Sequence, residues 1–362
     1  MAMSKKLRRI GIVDWHQKTG FYLPVTSSYP ARWLDVSPAR LAHEPPDLDL
    51  VLVNDETFPY CAAGIANATR VGIPTLHLPD GSCEWRNTWQ NQRTAPFMQP
   101  VLATKIACLG HSQARLLESW GNGGKCVVTG SPRFDWLVGK KARLPRQATV
   151  LIATARQPFF QHADQQAVIA SLVDLKGWLL QHTAITPIWR LTAGLADVIG
   201  VSNSTTISLA DQLAMVDAVI STPSNVILES MAHGLPVALL DYTNSPQYIR
   251  AAWSITAKAH LSDAIDGILA ADSCRMKWQS ALLDDQLECQ TEATPRVIAL
   301  MESLMDGSPV LGAPSPIQTP KEAQLEAEIA HLRKMISLSP TQVAYRCLCE
   351  VRRWVGGLRL SR

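Results

Sequence analysis

Short apolar runs alternate with longer segments of helical periodicity along most of the chain. The apolar runs are rich in Val, Ile and Leu, which is typical of strands covered on both faces in a parallel sheet. The predicted strands of the first half span residues 8–14, 49–54, 73–78, 105–110 and 125–130. Helical spacing is found between them, for example over residues 58–71 and 113–120. The pattern predicts an α/β domain with a parallel sheet.

The same alternation restarts after a basic connector at residues 138–147. Its predicted strands span residues 149–155, 185–191, 217–222 and 236–242. Helices are predicted over residues 163–182, near 208–215 and from residue 224, and the remainder to about residue 305 is predicted to be helical. The chain is therefore predicted to contain two Rossmann-like domains, residues 1–139 and 140–306.

The composition changes after Asp306. Residues 307–320 are rich in Pro, Ser and Gly, which predicts a linker. A helical tail is predicted over residues 321–362, and its first part has one narrow apolar stripe, Leu325, Ile329, Leu332 and Ile336. That stripe fits a short coiled coil or a helix packed on its own body. The last part combines five arginines with apolar positions, which suits an anionic membrane surface or a contact with a partner protein.

Composition narrows the class of protein. With 362 residues, 47% of them hydrophobic and 18% charged, the chain has enough apolar material for full cores. A net charge of +3 argues against a nucleic-acid partner. The eight cysteines have neither zinc nor CxxC spacing, which indicates reduced thiols. The apolar stretch at residues 10–13 is too short for a signal peptide, so a cytoplasmic location is expected.

The segment DAVISTPSNVILESMAHGLPVALLDY, residues 217–242, has the strongest local signal for chemistry. A strand is predicted to end at Ser221 and Thr222, and a helix to begin after Ser224, at Asn225. The N–H groups and dipole of a helix N-terminus bind phosphate. Glu229, one turn further on, could accept hydrogen bonds from ribose hydroxyls. An ordinary strand–helix turn with Ser224 as its cap explains the same residues equally well.

Two such domains, with this segment in the second, resemble the GT-B glycosyltransferases. The likeness covers roughly residues 8–305. Four further segments resemble those of bacterial surface-polysaccharide transferases: residues 72–89, 105–121, 128–137 and 151–160. Among these transferases, the pattern is most similar to the retaining β-Kdo transferase modules. The resemblance implies a CMP-Kdo donor and a glycan or lipid-linked glycan acceptor. No DxD-like acidic pair with metal spacing is found at a predicted strand end, which fits a metal-independent transferase, and no cofactor is expected besides the donor. The reduced cysteines predict a cytoplasmic location, and the basic tail is compatible with a peripheral position on the inner face of the cytoplasmic membrane.

Retention by double displacement needs an enzyme nucleophile, and carboxylates serve in that role. Asp80 follows a predicted parallel strand, and ligands of such folds bind at the carboxyl ends of strands. We therefore expect Asp80 to be the nucleophile, with Glu84 as the competing candidate. An ordinary Asp-Gly turn is the alternative interpretation.

Other polar residues follow predicted strands. Asp14 and His16 are the candidates for activating the acceptor hydroxyl, and a polar pair in a loop is the alternative. His111 could steady the donor phosphate or carboxylate, and Ser112 beside it is a predicted helix cap.

Three arginines at predicted strand ends are candidates for the anionic groups of the donor: Arg86, Arg156 and Arg190.

Several functional classes lack their motifs. Residues 121–126 are not a P-loop, and no G-x-G-x-x-G is present. Four alternatives stay open: a CDP-glycerol-dependent transferase, a UDP-sugar-dependent transferase, a sugar-nucleotide 2-epimerase, and a non-catalytic module that anchors a polysaccharide-synthesis complex through residues 321–362.

Overall fold

The protein forms two α/β domains, each built on a parallel sheet. This computed structural model describes residues 7–13, 15–43, 46–91, 98–140, 148–192 and 194–307.

Six described strands make the first sheet: β1 (Arg9–Val13), β2 (Arg32–Val36), β3 (Leu50–Val53), β4 (Thr75–His77), β5 (Lys105–Cys108) and β6 (Cys126–Val128). Their order is β2-β1-β3-β4-β5-β6, and all pairs are parallel. The helices are α1 (Trp15–Ser28), α2 (Pro38–His43), α3 (Pro59–Arg70), α4 (Trp85–Trp89) and α5 (His111–Leu117). A kinked turn, Glu118–Asn122, follows α5, and a 3-10 helix, Pro132–Leu137, follows β6.

The second sheet contains β7 (Thr149–Ala153), β8 (Thr186–Arg190), β9 (Ala218–Ser221), β10 (Val237–Leu240) and β11 (Trp253–Ile255). Their order is β11-β10-β9-β7-β8, again parallel throughout. Its helices are α6 (His162–Gln181), α7 (Leu195–Ile199), α8 (Leu209–Leu213), α9 (Asn225–Ala232), α10 (Leu261–Ala270), α11 (Ser273–Gln286) and α12 (Ala293–Met305), with a 3-10 turn at Lys258–His260.

The predicted strands are all present, shorter by one or two residues at an end. Every residue of the central strands β3, β7, β9 and β10 is buried, because helices cover both faces of these apolar runs. The expected α/β class and the two-sheet organisation are therefore confirmed.

Two strands were not predicted, and both lie at sheet edges. In β2 only Val36 is buried, so the strand lacks the apolar run that marks its neighbours. β11 has only three residues, Trp253–Ile255, and its middle residue is exposed. The expectation that the chain is helical from residue 243 to about 305 is wrong at β11. Pairing with β10 forms this strand, and such pairing has little local signature.

The last described helix, α12, returns to the first domain. Val297, Met301 and Leu304 pack in one buried cluster with Ile10 and Leu50 of the first sheet. Helix α12 therefore joins the two domains by packing on the first sheet, in addition to the covalent connector between them.

Asp135 of the 3-10 helix Pro132–Leu137 supplies the cap of α12. Its carboxylate accepts the N–H groups of Ala293 and Thr294 at 2.6 and 3.0 Å, and the Thr294 hydroxyl at 2.6 Å. The carboxylate thereby satisfies N–H groups at the start of the helix.

Aromatic rings from both domains meet beside α4. Tyr248 of the second domain lies against Trp85 and Trp120, and its hydroxyl accepts a hydrogen bond from Nε1 of Trp89 at 3.0 Å. The ring centroids of Trp85 and Trp89 are 5.7 Å apart. These four residues form an aromatic cluster across the domain boundary.

The predicted linker and helical tail, residues 308–362, lie outside the described residues. Within the described part of the chain, no helix has the length and apolar character needed to cross a membrane.

Candidate active site

The carboxyl end of β9 leads directly into α9, as the sequence predicted. The Ser221 hydroxyl donates to the carbonyl of Thr222 at 2.9 Å and lies 3.0 Å from the Ser224 hydroxyl. The Thr222 hydroxyl accepts the N–H of Ala155 at 2.9 Å, which ties this turn to the end of β7. Ser224 stands at the N-cap position of α9, but its side chain makes no capping hydrogen bond. The hydroxyls therefore shape the turn and leave the first-turn N–H groups of α9 without a side-chain cap.

The loop after β4 lies against the start of α9. Asn225 Oδ1 accepts two hydrogen bonds from Ser82, from N–H at 3.0 Å and from the hydroxyl at 2.8 Å. Gly81 permits this approach, because a Cβ there would lie 2.2 Å from Asn225 Nδ2. Asp80, the expected nucleophile, precedes Gly81 in this loop and is exposed. The fold thus brings the Asp80 loop of one domain to the predicted phosphate-binding helix of the other.

Glu229 lies one turn into α9 and is almost fully buried. Its Oε1 is 3.3 Å from Nη2 of Arg133, a first-domain residue in the 3-10 helix Pro132–Leu137. Nη1 of Arg133 donates to the backbone carbonyl of Asp80 at 3.1 Å. Burial raises the pKa of Glu229, and Arg133 and Arg190 oppose that rise. The candidate ribose-binding carboxylate is therefore paired with a cation from the opposite domain.

Arg190, predicted to bind the donor, ends β8 and is held within its own domain. Its Nη1 donates to the carbonyl of Ile207 at 2.9 Å and to Oε1 of Gln212 at 3.0 Å. Those contacts fix the segment before α8 beside the strand. Arg190 still acts on Glu229 through its charge, since it lowers the pKa of that carboxyl.

Arg86 and Glu84, both predicted site residues, form an ion pair in which Arg86 Nε donates to Glu84 Oε1 at 2.9 Å. Glu84 also caps α4, because its Oε2 accepts the N–H of Asn87 at 2.8 Å. The Arg86 side chain is 1% exposed, and its Nη1 is 3.7 Å from Asp241 Oδ1 in the second domain. Glu84 is thus engaged as a helix cap, and Arg86 is buried between the domains; their roles in catalysis and donor binding stay predictions.

Further polar groups of the second domain lie near Arg86. Burial raises the pKa of Asp164, at the start of α6, and the charge of Arg86 opposes this. Among the described residues, no hydrogen-bond partner is found for three buried atoms of this cluster: Arg86 Nη1, Gln90 Oε1 and Asp164 Oδ2. Sequence analysis did not select Asp164, Asp241 or Gln90. The position of Asp241, directly after a strand, was the signal available for one of them.

The remaining predicted residues are more dispersed. His111 is the exposed first residue of α5, and the cap of that helix is Gly110, so the expectation that Ser112 caps it is wrong. Ser112 instead lines a small pocket of about 20 Å³ between the domains, together with Ser82, Gln113, Leu228, Tyr248 and Gln286. Arg156 is exposed beyond β7, and its carbonyl accepts the Thr192 hydroxyl at 2.6 Å.

The side chains of the two acid–base candidates, Asp14 and His16, are outside the part of the chain that the structure describes. Asp14 lies outside the described residues. His16 lies in the first turn of α1, and its side chain is likewise outside the described part of the structure. Their assignment stays a prediction.

Arg133 was missed by sequence reasoning. It belongs to a segment, residues 128–137, that resembles the polysaccharide transferases, but nothing local distinguishes this arginine from a surface residue. Only its contacts with Asp80 and Glu229 single it out. Among the described residues, no group of three or more His, Cys, Asp or Glu side chains is arranged to hold a metal ion.

No family model and no curated protein sequence matches the chain. Solved structures do match it. A UDP-N-acetylglucosamine 2-epimerase from Listeria monocytogenes, itself described as putative, aligns with a TM-score of 0.58 at 12% identity, over 86% of this chain and 100% of the other. The chain has the GT-B fold. The Neisseria meningitidis UDP-GlcNAc 2-epimerase bound to UDP-GlcNAc aligns with a TM-score of 0.54 at 11% identity, over 82% of this chain and 100% of that one.

A glycosyltransferase of kitacinnamycin aligns with a TM-score of 0.50 at 12% identity, over 83% of this chain and all of its own. At such low identities the likeness concerns the fold and carries no assignment of activity.

Proposed function

We propose that this GT-B chain is an enzyme that acts on a nucleotide sugar and binds the nucleotide at the start of α9. The observation that carries the proposal is the pairing of that helix N-terminus with the buried Glu229 one turn away, opposite the exposed Asp80 loop. The N–H groups and dipole of α9 favour a phosphate. The Glu229 carboxylate is a hydrogen-bond acceptor suited to ribose hydroxyls.

The finer proposal is a retaining glycosyltransferase that uses CMP-Kdo. An Asp80 carboxylate oxygen bonds to the anomeric carbon while the bond from that carbon to the phosphate oxygen breaks, and CMP leaves. An acceptor hydroxyl then attacks the same carbon, its proton passes to Asp14 or His16, and Asp80 is released. The family resemblance supports the donor, and the exposure of Asp80 beside the start of α9 supports the nucleophile.

The other predicted residues have secondary parts in this proposal. Arg156 and His111 are both exposed beyond strand ends, where they are accessible to the anionic groups of a donor. Arg86 would act from within its buried cluster, and Ser112 from the interdomain pocket. The acceptor is proposed to be a glycan or lipid-linked glycan, with residues 321–362 holding the enzyme at the inner membrane face or on a partner transferase.

A nucleotide-sugar 2-epimerase is the second candidate. It is favoured by the solved structures with TM-scores of 0.58 and 0.54, both named as UDP-GlcNAc 2-epimerases. Such an enzyme needs no acceptor, so the two candidates differ in a measurable requirement.

Thermal-shift measurements with CMP, CDP and UDP test the nucleotide, and incubation of donor with and without acceptor tests the reaction. CMP at 100 times its dissociation constant should stabilise the protein by about 2.7 kcal/mol, and UDP at the same concentration should stabilise it less. Greater stabilisation by UDP, with epimer formed in the absence of acceptor, would favour the epimerase. If no nucleotide stabilises the chain, the enzymatic proposal is wrong, and the non-catalytic module becomes the better account.

A further inference from the structure

One side chain joins the proposed nucleotide site to the proposed nucleophile. The guanidinium of Arg133 contacts Glu229 through Nη2 at 3.3 Å and the Asp80 carbonyl through Nη1 at 3.1 Å. Glu229 belongs to the second domain, whereas Arg133 and Asp80 belong to the first. The planar guanidinium can serve both acceptors at once, which a lysine ammonium does less well because it is a point charge on a flexible stem.

The backbone beneath Arg133 is firmly fixed. Phe134 and Leu137, from the same 3-10 helix, are buried in a cluster with Ile227 and Leu228 of α9. Asp135 is held by its three hydrogen bonds to the start of α12. The Arg133 side chain itself is 43% exposed. A fixed backbone with an accessible head group suits a residue that positions other groups.

Glu229 depends on this cation. Its side chain is 5% exposed, so the carboxylate has little solvation of its own. The charged groups that act on it are Arg133 from the 3-10 helix and Arg190 from β8. Arg190 already donates to Ile207 and Gln212, so among the described residues Arg133 is the cation in direct contact with the carboxylate.

We propose that Arg133 is a positioning residue that couples nucleotide binding on the second domain to the placement of the Asp80 loop on the first. One N–H group holds the Glu229 carboxylate for the ribose hydroxyls, and another fixes the backbone of Asp80 beside the start of α9. The inference rests on the proposed function, because it takes Glu229 as a nucleotide ligand.

The test compares Arg133→Gln and Arg133→Lys with the full-length wild type. Arg133→Gln removes the charge beside Glu229, so CMP affinity should fall roughly tenfold or more, as for lost hydrogen bonds to a charged group. The pKa of Glu229 should also rise, because burial then acts with less opposition. CMP affinity in this variant should therefore start to fall at a higher pH than in the wild type as the pH is lowered.

Arg133→Lys retains the charge but not the two-way contact. It should restore most of the CMP affinity and the wild-type pH profile. The hydrogen bond to the Asp80 carbonyl should remain impaired, so kcat should be reduced more than KM is raised. Hydrogen exchange of the Ser82 amide, which donates to Asn225, reports the Asp80 loop without any donor and should be faster in both variants.

Arg115→Gln is the matched control. Arg115 also bridges the domains, but its described side-chain partner is Asp285, in an exposed pair at 2.8 Å, rather than Asp80 or Glu229. This variant should retain the CMP affinity, the pH profile and the Ser82 exchange rate of the wild type. Cooperative unfolding of all variants, followed by circular dichroism, checks that they fold.

The outcomes separate the two proposals. If the wild type binds CMP and Arg133→Gln behaves like Arg115→Gln, the coupling is wrong and the proposed function stands. The coupling is equally wrong if Arg133→Lys restores turnover and Ser82 exchange completely, because charge alone then suffices. If the wild type binds none of CMP, CDP and UDP, the proposed function fails and the inference fails with it.

Discussion

Replacing Gly81 with alanine should weaken the contact between the Asp80 loop and α9. The added Cβ would lie 2.2 Å from Nδ2, 2.9 Å from Oδ1 and 3.0 Å from Cγ of Asn225, so the Asn225 side chain has to move. That movement breaks two hydrogen bonds from Ser82, at 3.0 and 2.8 Å. At about 1 kcal/mol for each hydrogen bond, the variant should lose about 2 kcal/mol of unfolding free energy.

Urea unfolding followed by circular dichroism measures this loss. Gly177→Ala is the control, because a Cβ on that glycine within α6 meets no atom of the described residues within 4 Å. It should stabilise the protein by about 0.5–1 kcal/mol, the usual gain for Gly to Ala in a helix.

A double-mutant cycle separates the clash from other effects of the new methyl group. In an Asn225→Ala background the obstructing amide is gone, and Gly81→Ala should cost less than about 0.5 kcal/mol, as expected for an unobstructed surface substitution. If the cost stays near 2 kcal/mol in that background, or if Gly81→Ala is as stable as the wild type, the close approach of Gly81 to Asn225 is not what holds the loop.

Three further predictions concern catalysis, pH dependence and the tail. Asp80→Asn should fold and bind CMP normally but lose turnover by several orders of magnitude, and intact-protein mass spectrometry should find a sugar adduct on the wild type that the variant lacks; near-normal turnover would refute double displacement. Burial alone would raise the pKa of Glu56, but hydrogen bonds from His77 and the Leu102 N–H bring it below the ordinary value of 4.5. The stabilisation from Glu56 is therefore present above pH 4.5 and lost as the pH falls through the lower folded-state pKa, and Glu56→Gln should flatten this part of the urea-unfolding pH profile. Removal of residues 338–362 should reduce sedimentation with anionic vesicles, since its five arginines contribute about 1 kcal/mol each near such a surface; equal sedimentation of both chains would contradict a membrane role.

The fold was predictable because its signal is local. Residues 149–155, 217–222 and 236–242 each contain a continuous apolar run, and each corresponds to a strand that is buried on both faces. The turn from β9 into α9 was also predictable from the sequence, since Ser224 and Asn225 follow a strand and a proline. The edge strands β2 and β11 could not be predicted from the sequence. They are formed by pairing with β1 and β10, and their own hydrophobic patterns are weak.

Only some residues of the candidate site could be predicted from the sequence. Ser221, Ser224 and Glu229 lie close together in the chain, so one segment predicted their proximity. The contact between Arg133 and Glu229 spans 96 positions, and no periodicity connects two residues that far apart.

Burial of charge was the property least accessible to sequence analysis. Arginine is usually a surface residue, yet the packing of the two domains leaves the Arg86 side chain 1% exposed beside Glu84 and Asp241. Local pattern determines which segments become strands and helices, because it depends on neighbours a few residues away. The environment of a charged side chain depends on which distant groups the packed domains bring to it, and that is set only when the sheets and helices assemble.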